Sequence, residues 1–254
     1  MTDGIYAALA PYYDKLQQDV DYSRWADFFV KAFADFYDKP VKEVLDLGCG
    51  TGKMTLELCR RGYDMIGVDI SPEMLTLARQ SGEDEGMSDR LLLLCQDMCE
   101  FELYGTVEAT VSCLDCVNHL TSTKQLQQCF SLVHNYLVPD GLFIFDVNSK
   151  YKFENIYADN SFVLEEDGLM CVWQNYYNKK SHLCDFCISL FSQDEDGRYE
   201  RTDEYQRERM YPLATLKATL SKTGFELIGV YGDLDFSPHT ETSERIYIIA
   251  RAKK

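Results

Sequence analysis

The chain's 254 residues suit one α/β domain carrying an insertion, and a hydrophobic share of 46% is enough for a sizeable core. Asp and Glu number 42 against 25 Lys and Arg, a net charge of −17, which argues against a phosphate-binding surface for DNA or RNA and makes nucleic acid an unexpected partner. The N-terminus lacks a basic stretch followed by an apolar one, and no apolar run approaches the ~20 residues of a membrane span, so the ten cysteines, set in apolar runs, are expected to be reduced thiols of a cytoplasmic protein.

In chain order, residues 1–23 are rich in tyrosine, with Tyr6, Tyr12, Tyr13 and Tyr22. Trp25, Phe28, Phe29, Ala32, Phe33 and Phe36 then repeat at helical spacing, and Pro40 ends that helix. The phenylalanines are expected in the core. Tyr13 and Trp25, placed at or before the helix start, face either the core or a ligand. A buried strand at 43–47 runs into Gly48-Cys-Gly50-Thr-Gly52, and a helix opens at Lys53 with Gly62 beyond its end. A second strand spans 64–69, and Ser71, Pro72 and Glu73 mark a helix start that carries Met74. Residues 81–90 read as a polar loop. Strand three is 91–95, followed by Gln96 and Asp97; strand four is about 107–114 and stops at Asp115. A helix containing Leu126, Phe130 and Val133 closes at Pro139-Asp-Gly141, and strand five is 142–146. Five apolar runs alternating with helices predict a parallel sheet with right-handed crossovers.

After residue 150 the pattern changes. Residues 162–176, 182–193 and 197–211 alternate like strands, predicting a small antiparallel meander of about three strands. A helix returns at Pro212, and strands at 225–231 and 245–250 read as a closing antiparallel hairpin. The predicted architecture is therefore a Rossmann-like α/β fold with a seven-stranded, mostly parallel sheet and a β insertion.

The chemistry of the glycine turn can be narrowed. A dinucleotide fingerprint needs glycine at the position of Lys53, where the open helix N-terminus meets a pyrophosphate; here the third glycine is Gly52 instead. Asp69 ends strand two about 20 residues past the first glycine, where a carboxylate accepts hydrogen bonds from a ribose diol. Asp97 ends strand three, where it can accept from an exocyclic amine, and Met74 lies one turn into the next helix, where it can pack on an adenine face.

Four segments, Glu43-Val-Leu-Asp-Leu-Gly-Cys-Gly-Thr-Gly, Gly67-Val-Asp-Ile-Ser, Gln96-Asp97-Met98 and Ser112-Cys-Leu-Asp115, together resemble the class I S-adenosylmethionine-dependent methyltransferases in order and spacing. The resemblance covers roughly 41–150 and 212–254. Tyr13-Asp-Lys-Leu16 and Asp21-Tyr-Ser-Arg-Trp25 resemble the N-terminus of small bacterial members. It implies S-adenosylmethionine as cofactor. Gly48, Cys49, Gly50 and Gly52 would approach its methionine part, with Asp46 accepting from the amino group. Asp69 and Ile70 would lie at the ribose, Gln96, Asp97 and Met98 at the adenine, and Leu114 at the adenosine or sulfonium side. Tyr13 and Trp25 would form a lid within an N-terminal segment 1–40. Residues 41–150 and 212–254 would be the cofactor core, and 151–211 an insertion shaping the acceptor pocket.

Methyl transfer from a sulfonium is an in-line displacement that requires positioning, desolvation and, for some acceptors, a base. The chain lacks the Asn/Asp-Pro-Pro-Tyr/Phe of amino-base enzymes and any Pro-Cys dipeptide, and with its acidity this favours a small molecule or a protein side chain over a nucleobase as acceptor. His119 is either a base beside the reacting methyl or a loop histidine with a structural hydrogen bond. Tyr6, Tyr13 and Tyr211 are candidates for orienting an acceptor, and Arg209 either binds an acceptor carboxylate or belongs to a solvated strand face. Cys113-x-x-Cys116 and Cys184-x-x-Cys187 resemble zinc half-sites, but residues three apart on a strand point to opposite faces, so no metal is expected. Two other readings are a cofactor-binding regulatory or scaffold protein without turnover, and a nicotinamide-dependent oxidoreductase, which the Lys53 mismatch disfavours.

Overall fold

A computed structural model describes Tyr6 and residues 9–254, so residues 1–5, 7 and 8 of the expected N-terminal lid lie outside the described residues. After a short helix α1 (Ala10–Leu16) comes α2 (Tyr22–Phe36), β1 (Glu43–Leu47), α3 (Lys53–Arg60), β2 (Asp64–Asp69), α4 (Pro72–Asp84), β3 (Leu91–Cys95), β4 (Val107–Ser112), α5 (Thr123–Tyr136) and β5 (Leu137–Asn148). An antiparallel block β6 (Ser161–Glu166), β7 (Leu169–Asn178), β8 (Leu183–Gln193) and β9 (Tyr199–Arg209) follows, then α6 (Leu213–Lys222), β10 (Phe225–Tyr231) and β11 (Arg245–Ala252).

Seven strands form one sheet in the order β10-β11-β5-β4-β1-β2-β3. β1, β2, β3, β4 and β5 pair in parallel, and β11 runs antiparallel to both β5 and β10. The strand period of two sorts side chains onto the two faces. Leu45 and Leu47 face α5 and α6 in one core with Phe130, Phe143 and Phe145, while Val44 joins Phe28, Phe29, Met54 and Ile144 in the other. α2 forms because its apolar stripe faces that second core and because the Asp21 carboxylate caps it, accepting the Arg24 N–H at 2.9 Å. Each fully buried phenylalanine contributes about 1.5–3 kcal/mol to this packing.

Four details depart from the sequence expectation. The insertion has four strands, because the run 162–176 folds back on itself at Asp167-Gly168, with Gly168 at φ 72° and Glu166 paired to Leu169. β4 ends at Ser112, since Leu114 and Asp115 both take left-handed backbone angles. α5 stops at Tyr136, and the Pro139-Asp-Gly141 segment is a kink inside β5, where a Cβ on Gly141 would lie 2.9 Å from the Glu108 carbonyl. α4 continues to Asp84, into the segment expected to be loop.

The insertion sheet, ordered β6-β7-β8-β9, buries one face. Cys184, Phe186, Ile188 and Leu190 alternate inward on β8, meeting Phe153 and Tyr157 at one end and Leu9 at the other. That face also carries the buried carboxylates Glu204 and Glu208 of β9.

Candidate cofactor and methyl-transfer site

The glycine turn is held by its neighbours on β2. The N–H groups of Gly48 and Cys49 both donate to the Val68 carbonyl, at 2.8 and 3.1 Å. The N–H of Gly50 donates to Asp69 Oδ2 at 2.8 Å, while Asp69 Oδ1 accepts from the Ser71 N–H at 2.9 Å. Each Asp69 oxygen therefore keeps a lone pair for a ligand hydroxyl. Burial raises the Asp69 pKa, and the N–H donors of Ser71 and Gly50 pull it the other way. Gly48 has φ 83°, and a Cβ there would meet Cys116 Sγ at 2.6 Å. A Cβ on Gly50 would meet nothing within 4 Å, so this glycine faces open cleft.

The cleft, about 940 Å³ with the solvent at its mouth included, lies at the carboxyl ends of β1, β2, β3 and β4, the edge where open α/β sheets take ligands. Ile70, Met74, Gln96, Asp97, Met98 and Leu114 line it together with Asp69. Asp97 is fixed by its Oδ1, which accepts the Cys99 N–H at 2.7 Å, and Gln96 by its Oε1, which accepts the Glu102 N–H at 2.6 Å. Gly48, Gly50, Tyr6, Tyr13 and His119 line it as well. Tyr6 Oη and His119 Nε2 are hydrogen-bonded at 2.9 Å, and Tyr13 packs edge-on against Tyr6. Burial lowers the His119 pKa and raises those of both tyrosines, so all three side chains face the cleft uncharged.

Tyr13 lies on α1, and Tyr6 precedes it, its carbonyl accepting the Ala10 N–H at 2.9 Å. Thr51 Oγ1 donates to Asp14 Oδ1 at 2.7 Å, and Lys53 pairs with Asp14 at 3.1 Å, tying α1 to the glycine turn. At its other end, the buried Glu204 carboxylate accepts the N–H groups of Tyr6 and Leu9, at 2.7 and 3.0 Å.

Several residues singled out from the sequence lie elsewhere. Asp46 is fully buried beneath the turn, where Thr55 Oγ1 donates to its Oδ2 at 2.6 Å and its Oδ1 has no partner. Burial pushes its pKa up to about 7, against the Thr55 hydrogen bond. Cys49 lies under the turn against Gly67, and a Cβ on Gly52 would sit 2.8 Å from the Cβ of Ala78 on α4. Trp25 is inside α2, not ahead of it. Its ring packs on Phe29 and Tyr247 beneath the Arg245 guanidinium, and it does not line the cleft. Arg209 donates to the Thr121 carbonyl at 3.1 Å and stacks over Tyr211, whose hydroxyl donates to the Leu120 carbonyl, so neither lines the cleft. Cys116, Leu120 and Gln125 do line it and were not among the expected site residues. The signal for Gln125 was present as Ser122-x-x-Gln125, a capping box at the start of α5 in which Ser122 Oγ accepts the Gln125 N–H at 3.2 Å.

A family profile described as a methyltransferase domain matches residues 44–141. A candidate methyltransferase of Geobacillus sp. (strain WCH70) is 30% identical over 97% of this chain and 99% of its own length. The chain belongs to the S-adenosylmethionine-dependent methyltransferases. The crystal structure of such an enzyme from Clostridium acetobutylicum ATCC 824 superposes with a TM-score of 0.88 at 29% identity, covering 98% of this chain and 99% of that one. The S-adenosylmethionine-bound amino pentose methyltransferase CalS10 from Micromonospora echinaspora shares the fold at 18% identity, with a TM-score of 0.73 and complete coverage of both chains.

The residues present fit S-adenosylmethionine. Beneath the glycine turn Asp46 keeps a buried carboxylate oxygen without a partner among the described residues, and the cleft itself offers an open cradle at Gly50 and spare lone pairs on Asp69. These suit an ammonium, a close backbone approach and a ribose diol respectively. When bound, the cofactor supplies an activated sulfonium methyl, so the protein's tasks are alignment, exclusion of water and management of the acceptor's proton.

Proposed function

We propose that this methyltransferase passes the methyl group to an oxygen or nitrogen of a small-molecule acceptor whose reacting end carries no negative charge. The observation that carries this reading is the lining of the cleft. Among the described residues its lining holds no lysine or arginine, and in this reading the acceptor meets Tyr6, Tyr13 and His119, all neutral. An anionic acceptor would be desolvated there with no protein cation beside it, the cofactor's sulfonium being its only counter-charge. Arg209, the expected partner for an acceptor carboxylate, is committed to the Thr121 carbonyl.

In this reading Asp46 accepts from the cofactor's amino group, Asp69 holds the ribose hydroxyls and Asp97 the adenine amine. Met74, Ile70 and Leu114 pack on the adenosine. Tyr13, on α1, and Tyr6, just ahead of it, exclude water. His119, neutral because it is buried, takes the acceptor's proton at Nε2 once Tyr6 yields that position. The insertion 151–211 shapes the acceptor side. The strong overall acidity supports a small molecule over nucleic acid.

The test is a panel of amines, alcohols, phenols and carboxylic acids offered with methyl-labelled cofactor. Label on an amine or hydroxyl acceptor supports the reading, and preferential esterification of carboxylates refutes the charge argument. Tight cofactor binding with no transfer to any acceptor would favour a regulatory or scaffold role.

A further inference from the structure

The backbone leaving β4 is strained where it forms the floor of the cleft. Leu114 and Asp115 take φ of 57° and 59° in succession. Left-handed angles are rare for a branched side chain such as leucine, and such strain persists only where surrounding structure over-determines it. The same short stretch delivers Leu114, Cys116 and His119 to the cleft. Cys116 Sγ in turn donates to the Gly48 carbonyl at 3.3 Å, so the conformation of this turn sets the floor against the glycine turn.

What over-determines it is an ion triad of one buried carboxylate, Asp146, and two partly exposed partners, Asp115 and Arg245. Asp146, at 0% exposure near the end of β5, accepts the Asp115 N–H on Oδ2 at 3.0 Å. Arg245, the first residue of β11, pairs with Asp146 Oδ2 through Nη1 and with Asp115 Oδ1 through Nη2 at 2.7 Å. Its guanidinium also lies over the Trp25 ring, 5.8 Å from the centroid. A triad of this kind is a poor source of stability, because well-packed apolar residues usually serve as well or better. Its geometry does what apolar side chains cannot: one planar fork grips the strained turn at Asp115 and the strand beside it at Asp146.

We propose that Arg245 is a positioning residue for methyl transfer, acting through Asp115 and Asp146 to hold Leu114, Cys116 and His119 along the cleft. Trp25 belongs to the same device as the surface on which the guanidinium rests. This inference relies on the cleft being the cofactor site.

The test uses the full chain and S-adenosylhomocysteine, with affinity read by calorimetry and folding by the melting temperature. Arg245→Lys keeps the charge but loses the fork. It should melt near the parent chain while its Kd rises about tenfold or more. Glycine takes φ near 60° without strain, so adding Asp115→Gly to Arg245→Lys should bring the Kd back to within about threefold of the Asp115→Gly variant alone. Should Arg245→Lys fail to fold, Arg245→Met combined with Asp115→Asn and Asp146→Asn removes all three charges of the triad together and should fold, again with about tenfold weaker binding. A Kd unchanged in the variant that folds overturns the proposal. So does a loss of affinity that follows the melting temperature and that Asp115→Gly does not restore. Failure of the parent chain to bind S-adenosylhomocysteine would overturn the cofactor assignment instead, which separates the two claims.

Discussion

Replacing Asp69 with alanine tests the donor half of the site. In the free protein the carboxylate accepts two backbone N–H groups, from Gly50 and Ser71, and so ties the glycine turn to the start of α4. Its loss leaves both donors facing the cleft and removes the acceptor for a ribose diol. Hydrogen bonds to a charged group are worth about 1.5–3 kcal/mol each. Two ribose contacts, partly replaced by water, give a loss of about 2–4 kcal/mol, or roughly a 30- to 1000-fold rise in Kd. Calorimetric titration with S-adenosylhomocysteine measures it, with thermal unfolding of the free variant as control for collapse of the turn. An affinity within about threefold of the parent would show that Asp69 serves only its own turn and would refute the ribose assignment.

Other substitutions probe the site and the packing. Gly50→Val places a branched side chain at φ 53° into space that meets no protein atom within 4 Å; cofactor binding should be abolished while the melting temperature falls by only a few degrees. Glu204→Ala removes the acceptor of the Tyr6 and Leu9 N–H groups, so S-adenosylhomocysteine should dissociate about tenfold faster in stopped-flow measurements. Phe130→Ala, in the core between α5 and the sheet, should cost about 3–5 kcal/mol in denaturant unfolding and leave the Kd of the folded fraction unchanged. Asp46, with a pKa pushed up to about 7 by burial, holds a proton in about half of the free molecules at pH 7. A bound ammonium favours its carboxylate, so binding should release about half a proton at pH 7 and less at pH 8, read from calorimetry in buffers of different ionisation enthalpy. The sign for stability is the reverse of an ordinary ion-paired aspartate: its folded pKa is raised, so its contribution is present at low pH and lost as pH rises through about 7.

The parts of this molecule that were legible in the sequence are those specified by neighbours in the chain. The Gly48–Gly52 turn, the ends of β2 and β3 at Asp69 and Asp97, and the helix starts at Ser71 and Pro72 follow from backbone angle, capping and strand period, all local effects. The four-strand insertion was obscured because the apolar alternation runs on through 162–176, although Asp167-Gly168 is a two-residue hairpin signal. The apolar repeat alone puts Trp25 at or before the start of α2 and leaves it facing core or ligand; the Asp21 cap makes Tyr22 the first helical residue, and Trp25 packs in the core. The contacts that decide the remaining site residues are long-range. Arg209 is committed to Thr121, Glu204 to Tyr6 and Arg245 to Asp115 and Asp146, pairs joined only by the tertiary fold. No periodicity marks them.

The central claim is that this cleft delivers a methyl group from S-adenosylmethionine to a small molecule. The most direct measurement incubates the purified protein with methyl-labelled cofactor and the low-mass fraction of a bacterial extract, beside the Gly50→Val variant. The account predicts label in one or a few low-mass products that depend on the parent protein and are absent with the variant. Cofactor bound by the parent protein, with no label leaving it for any fraction, would contradict the account.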